Sequence, residues 1–332
     1  MEFTWVHPEF DVLRTAYGVY VVTDLARSRA FYVDALGFVV TEETPDAVYL
    51  RGYEERHHHS FVLRRGEHAH VASIGYRMAS PDDLEALAKH LEAEGCRSRW
   101  MEDDRAGQGR TLRVQDPLGF PVEFFYDMER AEGLLQRFDL HRGAHVMRLD
   151  HFNLHVPDVR AAFDHYRSLG FRTSEYTSTD PPDEQLWAAW MYRKPDVHDV
   201  ALMNGDGPRL HHLGFWVADT ASILRACDLL ASLGRAGAIE RGPGRHGLSN
   251  AFFLYLRDPD GHRIELYTSD YYTGDPDLEP IRWSVNDPRR GTFWGHAAPA
   301  SWFEESSAVA GFDDGLAEVR PALLADRPQT AT

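Results

Sequence analysis

One local pattern recurs four times between residue 1 and about residue 270, so the chain must fold as equivalent units that stack or pair. The first copy reads AYGVYVVTDLARSRAFYVDALGFVV and the third DHFNLHVPDVRAAFDHYRSLGFRTS. Each opens on an alternating apolar run and turns at Asp24 or Asp158. Each continues with apolar residues three and four apart and closes on Leu-Gly-Phe, at 36–38 or 169–171. Alternation is the signature of a strand and three-four spacing that of an amphipathic helix, which the glycine then ends. The second copy runs from VASIGYRMASPDDLEALAKHLEAEG to LRVQDPLGFPVEFFYD, and the fourth from LHHLGFWVADTASILRACDLLASLG to LYLRDPDGHRIELYT. Asp-Pro-Leu-Gly at 116–119 and Asp-Pro-Asp-Gly at 258–261 are turn chemistry between two strands, because proline presets φ and glycine accepts a positive one. Each copy therefore predicts a βαβββ module. The fold class is α+β, with four modules paired into two domains, residues 1–140 and 147–270. The polar stretch RFDLHRGAHV lies between them, and a further segment spans 271–332.

Charge narrows the partners. Fifty-two acidic against 35 basic residues leave a formal charge of −17, which opposes binding to nucleic acid and to the anionic face of a membrane. No apolar run approaches the roughly 18 residues of a membrane span, and MEFTWVHPEF lacks the basic-then-apolar layout of a secretion signal. A cytoplasmic protein is expected. Cys96 and Cys227 lie in helix-like segments and read as small core residues, supporting neither a disulfide nor a thiolate metal site.

The chemistry concentrates in the second half. His151 in RLDHFNLHV, His212 in LHHLGFWV and Glu265 in DPDGHRIELYT each sit in a strand-like segment. Two imidazoles and one carboxylate are the minimal set that holds a divalent metal on one face and leaves the other open. A lone histidine among 18 is more often structural; three residues at matching places in paired repeats are not lone. Alternation puts His212 on one face with Gly214 and Trp216, and sends His211 the other way. It groups Glu265 with Arg263 and Tyr267, opposite His262. His155 shares a face with His151 and Asn153 and is read as structural. The equivalent positions in the first half are Tyr17, Ser73 and Glu123, a poor ligand set. Metal binding is thus expected from about residue 148 onward, with the first half a structural partner.

The fourfold arrangement, ligands in the third and fourth copies only, and the segment ERGPGRHGLSNAFFLYLRDPDGHRIELYTSDYYTGDP resemble the extradiol ring-cleaving dioxygenases of the vicinal oxygen chelate superfamily. The resemblance spans nearly the whole chain and points to the branch acting on 3,4-dihydroxyphenylacetate. It implies curved mixed sheets that each enclose a cavity, and Fe(II) or Mn(II) on His151, His212 and Glu265. It also implies a catechol and O2 as reactants, and a homotetramer. It aligns His198 in KPDVHDVAL with the family's acid/base histidine; by itself that residue reads equally as a loop histidine. Tyr255 in FFLYL aligns with a tyrosine that donates to a substrate oxygen. Asn153, Trp190 in LWAAWMYRK and His246 in GPGRHG align with pocket positions. Arg241 and Arg290 match arginines that hold a substrate carboxylate, a role suited to a planar guanidinium, although the adjacent Arg289 leaves that choice open by one residue. The aromatic-rich residues 271–304 would cover the site, and the acidic, Ala-rich remainder to Thr332 would be partly disordered or used between subunits.

Two motifs read otherwise. His57-His58-His59 cannot all face one way on a strand and reads as a sheet-edge or interface feature. RGPGRHG lacks the GK[ST] ending of a phosphate loop. Competing functions on the same fold are a glyoxalase or isomerase with a different ligand set, and a metal-free binding protein of the antibiotic-sequestering type.

Overall fold

The structure is a computed structural model and describes residues 3–102, 104–313 and 315–324. The first module is β1 (Val12–Val22), α1 (Leu25–Arg29) with a π-helical turn over Ala30–Ala35, β2 (Val39–Glu43), β3 (Ala47–Arg51) and β4 (Phe61–Arg65). The second is β5 (His70–Met78), α2 (Pro81–Ala93), β6 (Arg97–Met101), β7 (Thr111–Gln115) and β8 (Pro121–Phe125). The third is β9 (Val146–Val156), α3 (Val159–Ser168), β10 (Arg172–Ser178), β11 (Leu186–Tyr192) and β12 (Val200–Asn204). The fourth is β13 (Arg209–Val217), α4 (Thr220–Ser232), β14 (Ile239–Arg245), β15 (Phe252–Arg257) and β16 (Arg263–Thr268). After them come β17 (Ile281–Ser284), α5 (Ala300–Glu304) and β18 (Ser307–Ala308).

The four module helices start alike. Asp24, Ser80, Asp158 and Asp219 each accept a hydrogen bond from the backbone N–H three residues on, satisfying a donor the helix leaves free. Gly37 and Gly170 take φ of 84° and 86°, the left-handed conformation that lets the chain leave the helix. In every module the helix carries the chain across, so the first strand pairs parallel with the last. The first strands of two modules then pair antiparallel, giving the orders β2-β3-β4-β1-β5-β8-β7-β6 and β14-β15-β16-β13-β9-β12-β11-β10-β17. This topology sets β9, β13 and β16, which carry His151, His212 and Glu265, side by side.

The halves share one core. Phe215 packs edge-on against Phe38 and Phe61, with centroids 4.9 and 5.5 Å apart, and Tyr76 does so against Phe152 at 5.5 Å. Residues past module four are docked as well. β17 extends the second sheet along β10, β18 pairs with β13, and Val309 bridges to Val71 of the first sheet. The described residues between 307 and 324 thus tie the two sheets together; 325–332 lie outside the described residues. Two readings are corrected. β4 lies between β3 and β1, so His57–His59 leads into an interior strand, and His58 and His59 are buried. Cys96 falls in the turn after α2, and both cysteines are half-buried rather than core. Among the described residues no helix is long and apolar enough to cross a membrane.

The turn before β8 yields a stability prediction. Buried Asp116 accepts from the N–H groups of Leu118 and Phe120 through Oδ1, while Oδ2 has no hydrogen-bond partner. Burial pushes its carboxyl up to about 6, with His165 and the turn N–H groups opposing. A folded value above the unfolded one means a contribution that is present at low pH and lost as pH rises through about 6. Asp116→Asn keeps the Oδ1 acceptor and removes the charge. It should add about 2–3 kcal/mol near pH 7.5 and nothing near pH 4, measured by urea unfolding. An equal gain at both pH values would refute the account.

Candidate active site

Register brings the three candidate ligands together. His151 on β9 lies opposite Gly214 on β13, Gly214 lies beside Glu265 on β16, and His212 lies opposite Asn153. A side chain at 214 would put its Cβ 2.1 Å from the His151 ring, so only glycine lets that imidazole lie across the neighbouring strand. His151 Nε2 stands 3.2 Å from His212 Nε2 and 3.2 Å from Glu265 Oε2, and His212 Nε2 is 3.1 Å from the same oxygen. All three residues are buried.

Each imidazole is fixed from behind. His151 Nδ1 donates to Asp150 Oδ2 at 3.0 Å. Behind His212 stands a second imidazole: the Nδ1 atoms of His211 and His212 are 2.6 Å apart, and His211 Nε2 is 2.8 Å from the Trp302 carbonyl. That carbonyl can only accept, so His211 Nε2 carries the proton, His211 Nδ1 accepts from His212 Nδ1–H, and His212 Nε2 is left with a lone pair facing Glu265. Alternation had sent His211 away. A bulge between Leu210 and His212 leaves it unpaired and swings its ring alongside. Burial holds the His212 imidazolium down to about 4, with Glu265 opposing. Burial also works against the His151 imidazolium, but Asp150 and Glu265 outweigh it and raise the value. Glu265 is ionised well below the usual carboxylate range, because the two histidines overcome its burial. Two nitrogen lone pairs and a carboxylate oxygen converging on one point fit Fe(II) or Mn(II).

The triad opens on a cavity of about 70 Å³ whose walls include Asn153, Trp190, His198, Arg241, His246, Tyr255 and Arg290. His198, read from its neighbours as a loop residue, is buried with its ring centroid 4.0 Å from that of His151, and its Nδ1 has no hydrogen-bond partner. Burial and then His151 hold its imidazole neutral well below the ordinary range. Lys194 Nζ donates to its backbone carbonyl. Tyr255 Oη is 3.0 Å from His246 Nε2, and His246 Nδ1 donates to the Gly291 carbonyl. Burial, then Arg241, pushes His246 down to about 3, and burial raises the Tyr255 phenol well above its usual value. Arg241 donates to Gly291 O and Thr292 Oγ1, both at 2.8 Å, and its Nε has no partner. Arg290 is buried and donates to Val285 O at 3.3 Å, whereas Arg289 is exposed and paired with Asp287 at 2.7 Å. Arg290 is therefore the one that faces the cavity.

Several wall residues escaped the sequence reading, notably Trp187, Met203, Tyr267, Trp302 and Phe303. Trp302 and Phe303, with 288 and 290–292, come from the aromatic-rich segment beyond module four and line the cavity. A buried carboxylate anchors that segment: Glu175 on β10 accepts from Tyr271 Oη at 2.7 Å and Trp283 Nε1 at 2.6 Å.

Known proteins give the family. The model of the Glyoxalase/Bleomycin resistance protein/Dioxygenase superfamily matches residues 14–124 and 148–266. The chain belongs to this superfamily. Its relatives place it on the extradiol dioxygenase branch. It is 34% identical to a manganese-dependent 2,3-dihydroxybiphenyl 1,2-dioxygenase of Geobacillus genomosp. 3, over 82% of this chain and 90% of that protein. It is 32% identical to a metapyrocatechase of Geobacillus stearothermophilus, over 93% and 98%. Among solved structures it is similar to homoprotocatechuate 2,3-dioxygenase from Brevibacterium fuscum, in an anaerobic complex with 3,4-dihydroxyphenylacetate. The identity there is 45%, covering 96% of this chain and 100% of that one, with a TM-score of 0.92. The Arthrobacter globiformis enzyme of the same name is 48% identical, covering 94% and 97%, also with a TM-score of 0.92.

In this dioxygenase the first half keeps the geometry and changes the chemistry. Tyr17 lies opposite Gly75, which neighbours Glu123, as His151 lies opposite Gly214 beside Glu265. Tyr17 donates to Glu123, and Arg105 and Arg113 hold the same carboxylate at 2.7 and 2.9 Å. Burial opposes its ionisation, yet Arg105 and Arg113 bring Glu123 down to about 2. Guanidinium groups supply the counter-charge that a metal would supply in the second half. Tyr17, Tyr49, Phe125 and Met128 belong to one buried apolar cluster of this half. His59 stands just before β4 as His198 stands just before β12, with its ring 5.4 Å from Tyr17. The buried His59, with His58 beside it, is thus part of this altered site and not of a sheet edge.

Proposed function

We propose that the protein cleaves 3,4-dihydroxyphenylacetate beside its two hydroxyls, incorporating both atoms of O2 to give 5-carboxymethyl-2-hydroxymuconate semialdehyde. The observation that carries the substrate is a pair of buried cations. Arg241 and Arg290 are 4% and 7% exposed, both line the cavity, and neither forms an ion pair among the described residues. Burial lowers both guanidinium values, Arg290 to about 10. In a chain of charge −17, two unneutralised buried cations beside one cavity are built for an anionic arm.

In this reading His151, His212 and Glu265 hold the metal. Fe(II) or Mn(II) bound there supplies an electron path between the electron-rich ring and O2 and keeps the two close. The chain does the rest. His198, neutral and unpartnered at Nδ1, takes a proton from a catechol hydroxyl and returns one as the ring opens. Tyr255, kept protonated by its burial and linked to His246, steadies a substrate oxygen. Trp190 and Asn153 bound the ring, and the cover from residues 288–303 limits water. The convergence of two imidazoles and one carboxylate favours this reading over the glyoxalase-type and metal-free alternatives. The same proposal takes residues 1–140 as a metal-free half, 147–270 as the catalytic half and 271–332 as cover and tail. It takes the assembly as a homotetramer, for which exposed Phe138, Tyr272, Phe293 and Trp294 offer apolar surface.

The test compares two substrates. Arg241→Ala and Arg290→Ala should each raise KM for 3,4-dihydroxyphenylacetate about 10- to 100-fold, the worth of a charge-assisted hydrogen bond, and change KM for 4-methylcatechol little. Equal losses on both substrates would remove the carboxylate assignment.

A further inference from the structure

A second cavity, of about 170 Å³, adjoins the site, and Trp187, Met203 and Phe303 line both. Trp187 reaches that position through a defect in its strand. On β11, Ala188 pairs with Thr177 but Leu186 pairs with Ser178, so Trp187 is the unpaired residue of a bulge. Regular alternation would have pointed it with Ala189 and Met191 into the main core; the bulge turns it onto the cavity face with Ala188 and Trp190. Its indole is buried, yet its N–H has no hydrogen-bond partner, so no hydrogen bond fixes the ring. The Arg290 guanidinium lies 5.1 Å from the ring, so a substrate arm that reaches Arg290 ends against this side chain.

We infer that Trp187 is a specificity-determining partition: it limits the size of the substituent a catechol can carry, and the cavity behind it admits an aryl group when the indole is cut back. The second cavity suits that role at its near wall, where the shared residues are aromatic or thioether, while Asn204, Asp206 and Arg209 line it elsewhere. The inference rests on the reading that the arm points toward Arg290, and it is independent of what the arm carries.

Steady-state kcat/KM on 4-phenylcatechol and 4-methylcatechol tests it, because neither substrate has a carboxylate. Trp187→Ala should raise the ratio of the two values at least about tenfold, the scale at which a hydrophobic pocket discriminates by size. Trp187→Phe and Met203→Ala should raise it less, and they carry the test if Trp187→Ala does not fold. A ratio within twofold of the parent enzyme in every variant that folds would overturn the partition. Measuring Arg290→Ala on 3,4-dihydroxyphenylacetate in parallel separates the two ideas. A KM raised in Arg290→Ala with an aryl ratio unchanged in the Trp187 and Met203 variants strikes the partition alone, and an unchanged KM with a raised aryl ratio strikes the carboxylate reading alone.

Discussion

Glu265→Gln is expected to give a folded protein that neither keeps a divalent metal nor opens catechol rings, with turnover down at least about 10³-fold. Glutamine has nearly the shape of glutamate, so the packing around this buried position is kept. What goes is the negative charge that offsets a divalent cation between His151 and His212, and a dication held by three neutral donors in a dry site is poorly compensated. A loss of several kcal/mol corresponds to three or more powers of ten in rate. The stability of the parent protein should also depend on metal. A ligand that binds only the folded state adds about 2.7 kcal/mol at a hundredfold excess over its Kd, so added Mn(II) should raise the parent Tm and leave that of the variant unmoved. Elemental analysis and thermal unfolding with and without Mn(II) check both halves of the expectation. A variant that carries one metal per chain would refute the ligand role of Glu265.

The parts of this molecule are unequally legible in its sequence for physical reasons. The βαβββ modules rest on period-two and three-four apolar spacing, capped helices and Asp-Pro-x-Gly turns, all of them local. They appear in one dimension and recur at equivalent places in the structure. The paired first strands then result from the duplication itself, which is why His151, His212 and Glu265 stand out in the sequence alone.

Bulges defeat the same reasoning. Because side chains alternate with period two, one extra residue sends the rest of the strand to the other face. That is how His211 comes to stand behind His212, and how Trp187 comes to line the cavity, where strict alternation buries both elsewhere. Other determinants exist only once strands are apposed. Nothing in LHHLGFWV says that Gly214 is small to make room for a ring from β9; the 2.1 Å approach is a property of the pair. Arg289 and Arg290 are neighbours of one type, and only the short turn over Pro288–Arg290, held by the Asp287 cap, turns one to Asp287 and the other inward. In the first half the ligand substitutions were legible, but the charge balance was not, since Arg105 and Arg113 approach Glu123 from outside its own strand.

His198→Asn separates proton handling from binding. Asparagine donates and accepts hydrogen bonds but does not exchange a proton near neutral pH, so it can fill the space of His198 without doing its proposed work. kcat should fall about 10²- to 10⁴-fold, the usual worth of a general acid–base residue, while KM and metal content stay within about twofold. The structure explains why the loss should be confined to kcat. The His198 backbone is held by Lys194 through its carbonyl, so the loop keeps its place without the ring. Arg241 and Arg290 reach the cavity from the segments around β14 and 288–290, and the triad sits on β9, β13 and β16, so neither depends on the His198 imidazole for position. The orphan Nδ1 implies that the group His198 serves is not part of the protein. Anaerobic titration with 3,4-dihydroxyphenylacetate and then rapid mixing with O2 measures the two steps apart: binding should be normal and ring opening slow. Loss of metal in the variant would assign His198 to the ligand scaffold, and a raised KM at unchanged kcat would make it a binding contact. Either outcome takes the proton transfer away from this residue and leaves Tyr255, with its link to His246, as the group to test next.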